Sequence, residues 1–148
     1  MALSRRQHWD TQAFHQFLMQ RAKMPFVWGA NDCALFAADG IEAITGVDIA
    51  ADFRGKYSDE AGAWAAVHTV TGGATIADAA AWCAAKHGFA EWTHPRMARR
   101  GDLVVFTGAG GVVASGLIHL SGAHIVAIGE SGLYRFSITK VLRAWHYE

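Results

Sequence analysis

The chain has 148 residues, with 13 Lys and Arg against 13 Asp and Glu, so its formal net charge is zero; 52% of residues are apolar and 18% are charged. That length suits one domain with a substantial core. The charge balance leaves no basic stripe for nucleic acid, and no apolar run approaches membrane-spanning length. Its two cysteines, Cys33 and Cys83, are far apart in sequence and make no disulfide framework.

Taken in order, the chain changes character near residue 100. We read a single domain over 1–148, with an N-terminal helix in 1–24, a helical part carrying Cys33 in 25–98, and a sheet part in 99–148. Phe14, Phe17, Leu18 and Arg21 recur at helical spacing after Asp10, which predicts a helix to about Ala22, stopped by Pro25. Asn31 or Asp32 caps a second helix from Cys33 to about Ile44, closed by Gly46. A third helix follows Ser58 or Asp59 and ends at Thr71-Gly72-Gly73. A fourth follows Thr75 and stops at Gly88.

Beyond residue 100 the pattern is strand-like. Asp102–Phe106 is a short apolar run, and Val112–Leu120 and His124–Ile128 read as a hairpin around Ser121-Gly122-Ala123. Leu133–Phe136 reads as another strand, and Ser137–Trp145 as one or two closing helical turns. Helices followed by strands predict an α+β fold with an antiparallel sheet.

The segment Trp28-Gly29-Ala30-Asn31-Asp32-Cys33 carries the strongest chemical signal. A cysteine in the first turn of a helix meets unpaired backbone N–H groups and the positive end of the dipole, which favour a thiolate. The same position also lies on the apolar face Cys33, Phe36, Ala37, Gly40, Ile41, Ile44, where a plain packing role is the alternative. Cys83 and His87, one helical turn apart, supply too few ligands for zinc. No metal or other cofactor is expected. Asp102 reads as a residue that fixes a turn.

In order and spacing, Trp28-Gly29-x-x-Asp32-Cys33, then Arg100 to Phe106, resembles the NlpC/P60 family. Gly116-Leu117-Ile118, Gly129 to Leu133 and the closing Arg143-Ala144-Trp145 resemble its phage tail-tip branch. The resemblance implies a papain-like fold, with Cys33 at a helix N-terminus packed on an antiparallel sheet. It implies hydrolysis of peptidoglycan stem-peptide amides, with Cys33 as nucleophile, a histidine as base and a third polar group orienting that histidine. Trp28 and Asp32 are the candidate substrate-binding residues.

The histidine departs from the family pattern. Aligning on Gly116-Leu117-Ile118 puts Ala114 at the base position, leaving His124 and His119 as the off-pattern candidates. Strand alternation groups Ser115, Leu117 and His119 on one face, and His124, Val126 and Ile128 on another. Two functions follow as expectations. One is a cysteine amidase or endopeptidase, used during genome entry and carried on the virion tail tip. The other is a catalytically inactive structural tail-tip protein that binds neighbouring tail-tip or hub subunits. The N-terminus lacks the apolar core of a signal peptide. Synthesis in the bacterial host cytoplasm, with delivery by the virion, agrees with either function.

Overall fold

The computed structural model describes residues 3–148. Helices occupy the first half and a sheet the second, so the fold is α+β. The opening helix is π-helical over Trp9–Phe14 and continues as α1, His15–Arg21. Next come α2 (Cys33–Thr45), α3 (Glu60–Thr71) and α4 (Ile76–Lys86). The strands are β1 (Ala90–Glu91), β2 (Leu103–Thr107), β3 (Val113–Ile118), β4 (His124–Gly129), β5 (Gly132–Ser137) and β6 (Val141–His146). They form one antiparallel sheet in the order β1-β6-β2-β3-β4-β5.

The helix starts follow local chemistry. Asp32 caps α2 by accepting from the Leu35 N–H at 2.9 Å, and Asp59 caps α3 by accepting from the Gly62 N–H. Thr75 and Asp78 close a reciprocal capping box at the start of α4. Gly46 and Gly72 end α2 and α3 in the left-handed region.

Strand alternation sorts the sheet residues onto two apolar faces. Leu103, Val105, Leu117, Val126, Ile128 and Trp145 join the helices in the larger core. Val104, Phe106, Ile118, Ile125, Val141 and Ala144 form a second cluster on the reverse face, covered by Trp92, Ala98, Phe136 and Ile138. Helix α2 lies across β3 and β4. At Gly40 an added Cβ would collide with Leu117 Cδ1 and crowd the Phe17 ring. A residue without a side chain is what lets α2 lie this near the sheet.

One predicted element changes type. After a single 3₁₀ turn at Ile138–Lys140, residues 141–146 form a strand between β1 and β2, not helical turns. The pairing slips between Val105 and Phe106, with Arg143 opposite the first and Val141 opposite the second. This bulge leaves Val141, Ala144 and Trp145 buried and Leu142 exposed. Burial at that spacing copies the i, i+3, i+4 signature of a helix, which misleads a reading by period. The two-residue strand β1 lies in a stretch that carries no strand signal.

Asp102 does more than fix a turn. Its carboxylate is wholly buried. It accepts from the Arg5 guanidinium at 2.6 Å, Trp92 Nε1 at 2.7 Å and the Arg99 N–H at 2.8 Å, and it pairs with His146 Nδ1 at 2.8 Å. Arg5 also stacks over Trp9 and Tyr147 and donates to the Arg100 carbonyl. One carboxylate therefore joins the N-terminal segment, the turn before β2 and the end of β6. Removing it leaves a nearly buried guanidinium without a counter-charge. Asp102→Ala should therefore lose about 3–5 kcal/mol of stability in urea denaturation. A loss below about 1 kcal/mol, the range of an exposed pair, would show that the network does not hold the termini.

Candidate active site

Cys33 is the first residue of α2 and sits where that helix meets the sheet. The capping residue beside it is tightly held. Asp32 is buried and accepts from Leu35 N–H, from Gly29 N–H at 3.1 Å and from the Tyr57 hydroxyl at 2.5 Å. Gly29, at φ 80°, packs against the Tyr57 backbone, where a side chain would not fit. The phenol, half-buried and bonded to a carboxylate, has its pKa raised far above the ordinary value. Asp32 therefore orients the helix start and is committed to protein partners.

The group that faces Cys33 from the sheet is Ser115 of β3. It is 2% exposed. Its hydroxyl is the buried side-chain polar atom without a hydrogen-bond partner among the described residues. Burial pushes the Cys33 thiol above its ordinary value of 9.0; the Ser115 amide and hydroxyl oppose that, the Asp32 carboxylate adds to it, and the Ala34 amide opposes it weakly. The helix start does favour a thiolate, as the sequence suggests, but desolvation outweighs it. The thiol is held neutral.

Neither candidate histidine reaches this place. Both lie at the β3–β4 hairpin. His119 Nδ1 accepts from the Ser121 N–H at 3.0 Å, and His124 Nδ1 lies 3.3 Å from the Ser121 hydroxyl. His119 is four residues past Ser115, about 13 Å along the strand direction. Burial and the nearby Arg135 lower its pKa. Among the described residues, no histidine lines the spaces on either side of Cys33. The resemblance aligns Ala114 with the family's base position. Ala114 turns toward the reverse-face cluster, while Ser115 turns toward Cys33. A slip of one residue moves every side chain of a strand to the other face.

Two spaces flank the thiol. Inward lies an apolar cavity of about 60 Å³, reaching from Cys33 and Asp32 to Cys83, whose own thiol is pushed up to about 12 by burial. Outward lies a groove of about 470 Å³ that runs past Cys33 around the end of the sheet. Trp28 lines both, edge-on to Phe26 at 4.8 Å and to Trp64 at 6.4 Å. Of the two candidate substrate-binding residues, Trp28 walls the groove and Asp32 lines the inner cavity. Neither Ser115 nor Tyr57 is a candidate on sequence grounds: alternation places Ser115 on a face with Leu117, whereas nothing local marks Tyr57 as a partner of Asp32.

The fold and site thus define an α+β protein with a half-buried cysteine at a capped helix N-terminus, facing a serine on an antiparallel sheet. The chain belongs to the family described as Domain of unknown function (DUF6950), whose model matches residues 4–147. No curated protein and no solved structure matches it. Among the described residues, no cluster of His, Cys, Asp or Glu is arranged to hold a metal ion, and no helix is long and apolar enough to cross a membrane.

The raised thiol pKa has a measurable sign. The neutral thiol is the form the folded state prefers, so its contribution to stability is complete below pH 9 and is lost as pH rises further. In a Cys83→Ala background, alkylation of Cys33 by iodoacetamide should be slower than that of a free thiol at pH 7 and should rise only above pH 9. A plateau of fast reaction below pH 7 would indicate an activated thiolate.

Proposed function

We propose that this chain is a phage tail-tip protein with an NlpC/P60-like, papain-type arrangement that has lost hydrolysis and serves to bind neighbouring tail subunits. The observation that carries this reading is Ser115 opposite Cys33. Acyl transfer by a cysteine needs a base within hydrogen-bond reach to take the thiol proton and later return it to the leaving amine. A serine hydroxyl does not serve as that base near neutral pH. The thiol is moreover held neutral by its burial.

The tail-tip part of the reading rests on the order Trp28-Gly29-x-x-Asp32-Cys33, Arg100 to Phe106 and Arg143-Ala144-Trp145. A second reading, a working peptidoglycan amidase or endopeptidase, is favoured by one feature. Cys33 lines a groove large enough for a peptide, at a helix start whose amides suit an oxyanion. In that reading His119 or His124 is the base, and the β3–β4 hairpin has to bring it to the thiol.

Incubation with purified sacculi and stem peptides separates the two. Wild-type protein and Cys33→Ala should release equal, background amounts of fragments, and the protein should be found by mass spectrometry in purified tail particles. Release that depends on Cys33 overturns the structural reading. Ser115→His adds a control: an imidazole facing the thiol should bring the alkylation midpoint of Cys33 below that of a free thiol. If it does not, position 115 is not where a base would act.

A further inference from the structure

The groove beside Cys33 has two walls of matching chemistry, one on the helix side and one on the reverse face of the sheet. On one wall, α3 presents Glu60 and Trp64, one helical turn apart and therefore on one face. On the other, the β4–β5 hairpin presents Glu130 and Tyr134, with the Tyr134 ring lying over Gly129, where a Cβ would collide with it. Trp64 and Tyr134 are 37% and 45% exposed. Neither glutamate forms an ion pair among the described residues, and both are solvent-exposed. They are the charged residues of the groove, and no lysine, arginine or histidine lines it among the described residues. Between the walls the lining is apolar, with Cys33 on the helix side and Phe106, Ala114 and Ala127 on the reverse face.

A carboxylate beside an open aromatic face, presented from both sides, is a receptor for a cation: the carboxylates attract it and the ring faces add a cation–π contact. The apolar floor asks for aliphatic neighbours on the same ligand. The groove's volume, about 470 Å³, exceeds what one side chain fills. A peptidoglycan stem peptide is the wrong complement. It carries several carboxylates, which the groove would meet with two more and with no cation to pair them.

We infer that this groove receives an extended segment of a partner protein, one with a lysine or arginine set between aliphatic residues. The inference rests on the structural reading above and names the chemistry of the partner's docking segment. Its basic side chain pairs with Glu60 beside Trp64, or with Glu130 on the hairpin that carries Tyr134. The aliphatic residues of the segment cover the apolar lining between the two walls.

The test uses the full chain and three synthetic probes in low salt. The first is the blocked peptide acetyl-Ala-Leu-Lys-Ala-Arg-Leu-Ala-amide. The second is the same peptide with glutamate for both basic residues. The third is a soluble stem peptide. Binding is read by tryptophan fluorescence and calorimetry. The basic peptide should bind, weaken with added salt, and lose roughly tenfold in affinity with Glu60→Gln plus Glu130→Gln and again with Trp64→Ala. These surface changes leave the core intact, and an unchanged circular dichroism spectrum checks that. Equal binding of the acidic peptide, tighter binding of the stem peptide, or indifference to the glutamate substitutions overturns the inference. So does self-association of the chain that buries this groove and excludes the basic peptide. None of these outcomes touches the loss of hydrolysis, which stands or falls on Cys33-dependent release of peptidoglycan fragments.

Discussion

The close seating of α2 on β3 is the constraint from which the site follows. It depends on Gly40, because any side chain there would strike Leu117 on the sheet. With the helix this near, its first residue comes against the β3 residue whose side chain points the same way, and that residue is Ser115. Asp32 then sets the rotation and entry of the helix by holding Gly29, Leu35 and Tyr57 on one carboxylate. The position of Cys33 is thus decided by a packing contact and a cap, neither of which involves the thiol.

The electrostatics of the thiol follow from the same packing. A helix N-terminus is worth about 0.3–1 kcal/mol to a nearby anion at an exposed site. Full burial shifts a titrating group by as much as several pKa units, each worth about 1.4 kcal/mol. Desolvation therefore decides the state of Cys33, and the Ser115 and Ala34 groups only moderate it. An imidazole beside the thiol would stabilise the ion pair of thiolate and imidazolium and reverse that balance. The unpaired hydroxyl of Ser115 does not, which is why a helix-start cysteine here is a neutral, packed residue. The Ser115 hydroxyl itself is a buried group of the kind that native structures rarely leave unbonded.

The other end of the sheet serves a different purpose. Asp102, Arg5, Trp92 and His146 form a polar network where the chain's first and last segments meet. It is built from charges whose partners are far apart in sequence, and it locks the turn that opens β2. That turn in turn fixes the register of β2 against β3, and so the face on which Ser115 appears.

The caps of α2, α3 and α4 and the helices-then-strands order are legible in the sequence, because Asp32, Asp59, Thr75, Gly46 and Gly72 act on backbone groups within a few residues of themselves; Asp10, the cap expected for the first helix, instead lies inside it, after His8. The antiparallel hairpin from β3 to β4 is legible for the same reason. What the sequence by itself determined is therefore local: a capped helix opening on Cys33, and strands of alternating burial. Tertiary structure alone decided the rest. It made β6 a strand, since a bulge against β2 produces burial at helical spacing. It chose Ser115 over Ala114 to face the thiol, since strand register is a long-range pairing. It set His119 and His124 at the β3–β4 turn, and brought Glu60 of a helix and Glu130 of a hairpin to one groove. Each of these depends on which surfaces meet, and residues far apart in the chain carry no local mark of that.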